Sequence, residues 1–182
     1  MEARFLDMKG RGVRIVVFWV VVILVVALDQ ATKAGVRAIL DDGPQVLIPG
    51  IMNLVHVQNT GAAFSIGQGG GLFFVIVAVA FLVGAIYLVW TAADMPLWLA
   101  MSIGLVAGGG VGNMIDRVID GAVTDFLATT FIDFPVFNVA DICVTVGIAL
   151  SVIGYWRWDS SRERDVAERA ETLRQDDGFG NA

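Results

Sequence analysis

Long apolar segments alternate with short polar segments along the 182-residue chain. Residues 15–28 are fourteen consecutive apolar residues, and residues 72–90 are nineteen uncharged, almost wholly apolar ones. Two further apolar segments cover residues 95–115 and 142–156. A membrane-spanning helix needs about 20 predominantly apolar residues, a length that residues 72–90 reach without help from their flanks. The pattern therefore predicts four membrane helices joined by polar connections.

The first apolar segment is too short to cross a membrane unless its helix continues beyond Leu28. A cleaved signal peptide would need small residues at its cleavage positions, but Asp29 and Gln30 follow instead. We expect the helix to continue through residues 29–35, DQATKAG, which add the missing length. Asp29 and Lys33 are then four residues apart and share one face at the far end of the span.

The connection between the first two helices, residues 35–70, is the least apolar part of the body of the chain. Residues 41–44, DDGP, indicate a turn. Residues 46–59 show partial alternation and β-branched runs, which predicts a small strand or a hairpin interrupted by Pro49-Gly50. The connection then enters NTGAAFSIG, residues 59–67, whose small residues favour a turn with a close backbone approach.

The third predicted helix, residues 95–115, follows the connector TAADMP. Pro96 suits the first turn of this helix. Gly104, Gly108 and Gly112 recur every four residues, so they lie on one helix face. Small residues in such a row let another membrane helix approach closely. We therefore expect these glycines to form a packing surface.

Polar residues concentrate around the ends of the third and fourth helices. Asn113 and Arg117 are four residues apart and share a face at the end of the third helix. Residues 116–135 are expected to form a polar connection, and Pro135 is expected to open the fourth helix. One stripe of the fourth helix carries three more polar residues, Asn138, Asp141 and Thr145.

Lysine and arginine are distributed unevenly between the two sides of the predicted bundle. Four precede the first helix and five follow Gly154, against three in the segments on the other side. The positive-inside rule therefore places both termini in the cytoplasm. Four spans then bring nine polar residues to the outer surface: Asp29, Lys33, Asn59, Asn113, Asp116, Arg117, Asp125, Asn138 and Asp141. Because an ionisable group beside hydrocarbon costs about 2.5–3.5 kcal/mol, their convergence indicates a functional site.

Composition restricts the chemistry of that site. The chain is 57% hydrophobic and 16% charged, which is typical of an integral membrane protein. Of the net charge of −6, the tail at residues 159–182 carries half, and charge pairs four apart predict a short solvated helix there. The single cysteine, Cys143, excludes an intrachain disulfide, and the single histidine, His56, argues against a histidine metal site. We interpret Cys143 as a packing residue and His56 as structural or interfacial, and we expect no metal and no cofactor.

Carboxylates are then the remaining candidates for catalysis, and we predict that Asp125 and Asp141 form a pair. Two aspartates held close together cannot both ionise comfortably, so they share a proton. One can take a proton from water while the other donates to a scissile carbonyl oxygen. Asp116 competes for a place in this pair, but its position beside Arg117 at a helix end favours a structural ion pair. The other two acids of the connection, Asp120 and Asp133, are interpreted as loop charges.

Five short motifs follow one another along the chain: DQATK (29–33), NTGAAFS (59–65), GGGVGNMIDR (108–117), VTDF (123–126) and FNVAD (137–141). In this order and at these distances they resemble the motif series of the lipoprotein signal peptidases, or signal peptidase II. The resemblance covers roughly residues 13–157. It implies a membrane all-α fold of four transmembrane helices with a small extracytoplasmic β-element and an amphipathic outer segment.

The resemblance also implies an activity and a site. The expected protein is a metal-free aspartyl endopeptidase of the bacterial inner membrane, which cuts a prolipoprotein signal peptide just before a diacylglyceryl-modified cysteine. The catalytic aspartates match Asp125 of VTDF and Asp141 of FNVAD. Asp116 is retained as a supporting neighbour of the pair. The other substrate-binding or supporting positions match Asp29, Lys33, Asn59, Gly61, Asn113, Arg117 and Asn138.

Two hypotheses from other functional classes remain open at this point. The carboxylates could relay protons in a small transporter or channel subunit, although the sequence shows no internal repeat and its acids lie near one surface. A membrane scaffold held by its glycine faces would leave the acids unexplained. We expect one membrane domain, residues 1–158, followed by a charged cytoplasmic tail, residues 159–182. Its partners would be prolipoprotein signal peptides and membrane lipids but no nucleic acid, and it would act as a monomer.

Overall fold

The computed structural model describes residues 2–40, 43–61, 69–92 and 94–179. Within these residues the elements, in chain order, are α1 (Glu2–Ile39), β1 (Gln45–Ile48), β2 (Met52–Asn59), α2 (Gly71–Thr91), α3 (Leu97–Ile119), β3 (Val123–Thr129) and α4 (Val139–Phe179). Each helix contains a segment long and apolar enough to cross a membrane: Gly10–Ile39, Gly71–Thr91, Leu97–Ile119 and Val139–Ser160. The predicted architecture of four membrane helices with a small β-element is confirmed.

Helix α3 lies at the centre of the bundle. In an 18-residue stretch of its spanning segment 56% of the residues are buried, against 28%, 17% and 11% in stretches of the same length in α1, α4 and α2. The predicted glycine face of α3 packs on α1: a Cβ placed on Gly108 would lie 2.7 Å from the Val25 Cβ, and one on Gly112 would lie 2.6 Å from a carboxylate oxygen of Asp29. Since no real Cβ approaches so closely, only glycine lets α1 lie in this position.

A second glycine contact holds α4 against another face of α3. A Cβ on Gly109 would lie 2.5 Å from the carbonyl oxygen of Ala140. A Cβ on Gly147 of α4 would in turn lie 2.7 Å from a methyl group of Val106. Helix α3 is therefore clamped between α1 and α4, and its polar end faces both of them.

The three strands form one antiparallel sheet in the order β1-β2-β3. The predicted hairpin is confirmed, and its turn contains Gly50 at φ 71°, a left-handed conformation that glycine adopts without steric cost. Three predicted features fall partly or wholly outside the described residues. In the predicted turn at residues 41–44, residues 41 and 42 lie outside the described residues. The same holds for residues 62–67 of the predicted turn after Asn59 and for residue 93 of the connector before Pro96.

The prediction of a polar connection over residues 116–135 is wrong. Helix α3 continues to Ile119, and residues 123–129 form β3, which pairs with β2 and is buried from Val123 to Leu127. The strand escaped prediction because the polar residues of VTDF are buried together with its apolar ones, so no alternation marks it. Pairing with β2 supplies backbone partners that a sequence pattern does not show.

The prediction that Pro135 opens the fourth helix is also wrong. Phe137 instead pairs with Leu127: the Phe137 N–H donates to the Leu127 carbonyl at 3.1 Å, and the Leu127 N–H donates back at 2.8 Å. This extra bridge to β3 keeps the chain extended until α4 begins at Val139. The backbone of α4 then runs without a break to Phe179. The short helix predicted for the tail is therefore a continuation of α4. The division of the chain at residue 158 stays a prediction.

Candidate active site

All ten residues predicted for the site lie at one end of the helix bundle, where α1, α3 and α4 meet the sheet. They are joined directly or through one another by hydrogen bonds and ion pairs. They are Asp29, Lys33, Asn59, Gly61, Asn113, Asp116, Arg117, Asp125, Asn138 and Asp141. The predicted convergence of polar residues from distant parts of the chain is therefore confirmed.

Asp125 lies in β3, with 3% of its surface exposed. Its two carboxylate oxygens accept hydrogen bonds from different amides, Oδ2 from Asn59 Nδ2 at 2.9 Å and Oδ1 from Asn138 Nδ2 at 2.7 Å. Burial raises the pKa of Asp125 to about 6, and the negative charge of Asp141 acts in the same direction. The two amide hydrogen bonds oppose this rise because they favour the ionised form.

Asp141 lies in the first turn of α4, where it forms a reciprocal cap with Asn138. The Asp141 N–H donates to Asn138 Oδ1 at 3.0 Å, and the Asn138 N–H donates to Asp141 Oδ2 at 3.1 Å. This arrangement satisfies two backbone donors at the helix N-terminus, in the manner of a capping box. The other oxygen, Oδ1, accepts a hydrogen bond from Asn113 Nδ2 at 2.8 Å. Asp141 is thereby held rigidly with one edge towards α3.

Asn138 connects the two carboxylates directly. Its side-chain nitrogen donates to Asp125 and, at 3.0 Å, to Asn113 Oδ1, while its backbone N–H donates to Asp141. Asn138 is fully buried, so its amide orientation is fixed by these contacts. The interpretation of residues 138, 141 and 145 as one helical stripe needs correction, because Asn138 precedes the helix and acts as its cap.

Asp125 and Asp141 line the same cleft, whose volume is about 470 Å³. Its other polar lining residues are Asn59, Asn113, Arg117 and Thr145, and its walls are otherwise apolar. The apolar lining comes from β3, from the segment before α4 and from α4 itself: Val123, Phe134, Pro135, Val136, Phe137, Ile142, Val144 and Val146. Two carboxylates therefore face a space large enough for an extended peptide and bounded by hydrocarbon groups.

Arg117 lines the cleft without forming an ion pair with either aspartate. Its Nη2 donates to the Gly61 carbonyl oxygen at 2.8 Å, its Nη1 to the Asn113 carbonyl oxygen at 3.3 Å, and its guanidinium lies 4.9 Å from the centre of the Phe74 ring. The Nε–H is buried and has no hydrogen-bond partner among the described residues. The predicted shared face of Asn113 and Arg117 is confirmed, since both side chains line the cleft.

A second group of charges, the Asp29–Lys33–Asp116 triad, lies behind the cleft. Lys33 Nζ is 2.8 Å from Asp29 Oδ2 and 3.0 Å from Asp116 Oδ2, and it donates to Asn113 Oδ1 at 2.9 Å. The exposed fractions of these side chains are 0% for Asp29 and Lys33 and 1% for Asp116. The predicted pairing of Asp116 with Arg117 is wrong: the cation beside Asp116 is Lys33, because Gly112 lets α1 approach α3 at this level.

Four contacts near the triad were not predicted from the sequence. Gln30, which lies inside the DQATK motif, donates from Nε2 to Asp116 Oδ1 at 3.0 Å and to Asp29 Oδ2 at 3.2 Å. Asp120, predicted to be a loop charge, is the C-cap of α3 and pairs with Arg37 at 2.9 Å. Arg37 also donates to the Thr124 hydroxyl at 3.1 Å. Membership of a recognised motif was the available signal for Gln30.

The predicted interpretation of His56 fits its position. It lies on β2 with its side chain exposed, and its ring nitrogen is 3.2 Å from the amide nitrogen of Gln58. It is not among the residues that line the cleft. Among the described residues, no cluster of three or more histidine, cysteine, aspartate and glutamate side chains could hold a metal ion.

Comparison with known proteins agrees with this architecture. A family model described as signal peptidase (SPase) II matches residues 21–157, from within α1 to within α4. The chain belongs to the signal peptidase II family. It is similar to a lipoprotein signal peptidase of Gloeobacter violaceus, with 38% identity over 159 residues that cover 87% of this chain and 92% of the relative. A lipoprotein signal peptidase of Streptococcus pyogenes serotype M5 is 42% identical over 136 residues, which cover 74% of this chain and 90% of that protein.

Two solved structures, each described as a bacterial membrane enzyme, share this fold. One has a TM-score of 0.72 and 34% identity and covers 79% of this chain and 90% of its own. The other has a TM-score of 0.68 and 34% identity, with coverages of 75% and 90%. Membership of signal peptidase II makes this chain a multi-pass membrane peptidase, and the transporter and scaffold hypotheses are set aside.

Proposed function

We propose that this signal peptidase II is an aspartyl endopeptidase that removes signal peptides from bacterial prolipoproteins, cutting just before the diacylglyceryl-modified cysteine. One observation carries the proposal: Asp125 and Asp141 line one cleft and are bridged by Asn138. The names of the relatives, which are lipoprotein signal peptidases, give the substrate class. We call Asp125 and Asp141 the dyad. The residues that would hold the dyad or the substrate are Asn59, Gly61, Asn113, Arg117 and Asn138. The buried Asp29–Lys33–Asp116 triad would support them without lining the cleft.

The two aspartates divide the proton transfers between them. Asp125 carries the proton, because burial already raises its pKa to about 6 and a substrate that displaces water from the cleft raises it further. Asp141, held by hydrogen bonds from the Asn113 side chain and the Asn138 backbone N–H, acts as the general base. It takes a proton from water, whose oxygen bonds to the scissile carbonyl carbon while Asp125 protonates the carbonyl oxygen. The C–N bond then breaks as the proton on Asp141 passes to the leaving nitrogen and one hydroxyl of the tetrahedral intermediate returns a proton to Asp125, which restores both aspartates to their starting states.

Neutral amides hold the dyad in this scheme. Asn59, Asn113 and Asn138 each donate to one of the two carboxylates, so they orient the oxygens without supplying a fixed positive charge. A cation in direct contact would instead keep the carboxylate ionised throughout the reaction. Arg117 lines the cleft and makes no ion pair with Asp125 or Asp141, so we assign its positive charge to the substrate.

The apolar walls of the cleft suit a lipid-modified peptide that arrives from the bilayer. Ile142 and Val146 line the cleft from within the spanning segment of α4, and 42% and 44% of their surfaces are exposed. Acyl chains can therefore remain in hydrocarbon while the peptide bond reaches the dyad. The positive-inside rule would place both termini in the cytoplasm and this end of the bundle at the outer face of the inner membrane. We expect a monomer to suffice, since both aspartates belong to one chain.

The direct test compares the purified, lipid-reconstituted protein with its Asp125→Asn and Asp141→Asn variants on a diacylglyceryl-modified prolipoprotein. Release of the signal peptide is followed by mass spectrometry, and thermal unfolding shows that each variant is folded. We expect a loss of at least about 1,000-fold in kcat for each, because neither proton transfer has a substitute. Asp133→Asn removes a carboxylate outside the cleft and should cleave normally. Wild-type cleavage by either dyad variant would remove that residue from the mechanism.

A chelator tests the metal-free mechanism separately. Since the dyad itself activates the water, cleavage should be unchanged in EDTA. Loss of activity that a divalent cation restores would contradict this part of the proposal while leaving the substrate class intact.

A further inference from the structure

Each catalytic aspartate follows a residue whose backbone is held by the buried triad. The Thr124 N–H, immediately before Asp125, donates to Asp116 Oδ2 at 3.0 Å. The Ala140 N–H, immediately before Asp141, donates to Asp29 Oδ1 at 3.0 Å. Two carboxylates of the triad therefore hold the backbone of β3 and of α4 at the positions adjacent to the dyad.

Lys33 joins these two contacts. Its ammonium group lies 2.8 Å from Asp29 and 3.0 Å from Asp116, so the two carboxylates that hold β3 and α4 are tied to one atom. Its third hydrogen bond goes to Asn113 Oδ1 at 2.9 Å, which turns the Asn113 Nδ2 towards Asp141. A lysine has three N–H donors, and all three have partners here. The side chain is fully buried, so no donor is left for a substrate.

Two further features make the arrangement rigid. The Gln30 amide donates to both triad carboxylates, at 3.0 Å to Asp116 and at 3.2 Å to Asp29, and at 3.2 Å to the Gly112 carbonyl oxygen of α3. Gly112 has no side chain that would separate the helices, since a Cβ there would lie 2.6 Å from Asp29 Oδ2. The triad consequently joins α1, α3, β3 and α4 at one level of the bundle.

We propose that the Asp29–Lys33–Asp116 triad, with Gln30, sets the separation of the two catalytic aspartates by fixing the backbone at Thr124 and Ala140. Asp29, Lys33 and Asp116 are in this view positioning residues that never touch the substrate. This inference rests on the proposed function, because it assigns the spacing of the dyad named there. Asp116, which competed for a place in the dyad on sequence grounds, would act instead by holding the backbone N–H of Thr124.

The spacing matters because it decides how strongly the dyad shares a proton. The closer two carboxylates lie, the further apart are the two apparent pKa values of the pair, and the wider is the pH range in which one proton is bound. The other charged groups facing the dyad come from α1 and α3: Lys33, Asp29, Asp116 and Arg117. A change in spacing therefore appears as a change in the width of the pH profile, which loss of folded protein alone would not produce.

The first test is Lys33→Arg, which keeps the positive charge. A planar guanidinium is longer than an ammonium and cannot direct three donors from one atom, so the two triad carboxylates must move apart. We expect kcat to fall at least about 10-fold with KM within about 3-fold, because the substrate contacts are unchanged. The pH profile of kcat/KM should become narrower. Asp120→Asn is the matched control: it removes the α1–α3 ion pair with Arg37 one turn away and should leave the width unchanged.

A second variant keeps the test decisive should Lys33→Arg fail to fold. Lys33→Met combined with Asp116→Asn removes one charge of each sign, so the net charge of the triad is conserved, and the amide oxygen introduced by the second substitution can still accept from the Thr124 N–H. The link between the β3 and α4 contacts is nevertheless lost, and we again expect a narrower pH profile. A folded variant of either kind with wild-type kcat and profile width would overturn the inference. The dyad itself fails by a different result, namely cleavage by Asp125→Asn or Asp141→Asn.

Discussion

Four buried or partly buried aspartates lie close together in this molecule, and they fall into two pairs with opposite surroundings. Asp29 and Asp116 contact the ammonium of Lys33 and are closed off from solvent. Asp125 and Asp141 line the cleft and, among the described residues, accept hydrogen bonds from side-chain amides and a backbone N–H. The same side chain is thus used in two ways a few ångströms apart, and the difference lies in the partner rather than in the residue.

Under the proposed mechanism, the contrast is between structural carboxylates, which stay ionised, and catalytic carboxylates, which exchange a proton. A buried carboxylate that must stay ionised needs a cation, because desolvation of the charge is otherwise too costly. A carboxylate that must gain and lose a proton needs neutral donors, which orient it in either state. The three asparagines that contact the dyad are such neutral donors, whereas Lys33 is the cation that Asp29 and Asp116 need. The remaining hydrogen bond of Lys33, to Asn113, connects the triad to the dyad.

The largest expected effect comes from removing the cation of the triad alone. Lys33→Met would leave Asp29 and Asp116 facing each other without a counter-charge. Breaking a buried ion pair from one side costs about 3–5 kcal/mol, which for a chain of this size lowers Tm by about 6–20 °C. Thermal unfolding in detergent measures the change. Asp141→Asn removes no ion pair among the described residues and serves as the comparison. Equal Tm values for the two variants would contradict the distinction between the Asp29/Asp116 pair and the Asp125/Asp141 pair.

A smaller loss is expected when the approach of α1 to α3 is blocked. Gly112→Ala places a Cβ 2.6 Å from Asp29 Oδ2, so the helices must separate or Asp29 must move. Overpacking of this kind costs about 1–3 kcal/mol. Because Asp29 also holds Ala140, kcat should fall as well as Tm. Gly110→Ala lies on the same helix with open space around its Cβ and should leave both quantities unchanged. Unchanged Tm and kcat in Gly112→Ala would show that the close approach of α1 to α3 is not required.

Asp125→Asn should raise stability while abolishing cleavage. The pKa of Asp125 is raised to about 6, above its value of 3.8 in an unfolded chain. Its contribution to stability is therefore present at low pH and is lost as the pH rises through about 6. The variant avoids that loss, so its Tm should exceed that of the wild type by about 2–6 °C at pH 8. The gap should shrink towards pH 4, and a gap that is independent of pH would contradict the raised pKa.

The helices and the membership of the site could be predicted because both depend on local signals. Apolar runs mark the spans, and five motifs mark residues that meet in space. The strand β3 gave no such signal, since its buried Thr124 and Asp125 interrupt the apolar pattern of VTDF. Its existence depends on pairing with β2, more than sixty residues earlier.

The division of the aspartates into two pairs could not be predicted for a related reason. Sequence places Asp116 beside Arg117, but the direction of the helix turn takes that arginine to the cleft and leaves Asp116 facing α1. Whether Lys33 reaches it depends on the axial register of α1 against α3, which the close contact at Gly112 fixes. A register is a property of two packed helices together, and neither helix specifies it alone.

The smallest expected effect concerns the neutral donors that distinguish the dyad. Asn59 Nδ2 donates to Asp125 Oδ2 at 2.9 Å, and this hydrogen bond lowers the pKa of Asp125 against the larger effect of burial. Asn59→Ala removes a donor that favours the ionised form, so the pKa of Asp125 should rise. In the proposed mechanism the dyad is inactive once its last proton has left, so the alkaline limb of kcat/KM should move to higher pH, by about half a pH unit to one unit.

Gln58→Ala provides the control for this shift. Gln58 is the neighbouring residue on β2, but its amide donates to the Thr124 hydroxyl at 3.4 Å and not to a dyad carboxylate. Its removal should leave the alkaline limb where it is. If both variants moved the limb equally, the effect would come from the strand as a whole. An alkaline limb that stayed fixed in Asn59→Ala would mean that the amides only orient the dyad, and the contrast with Lys33 would then be one of charge alone.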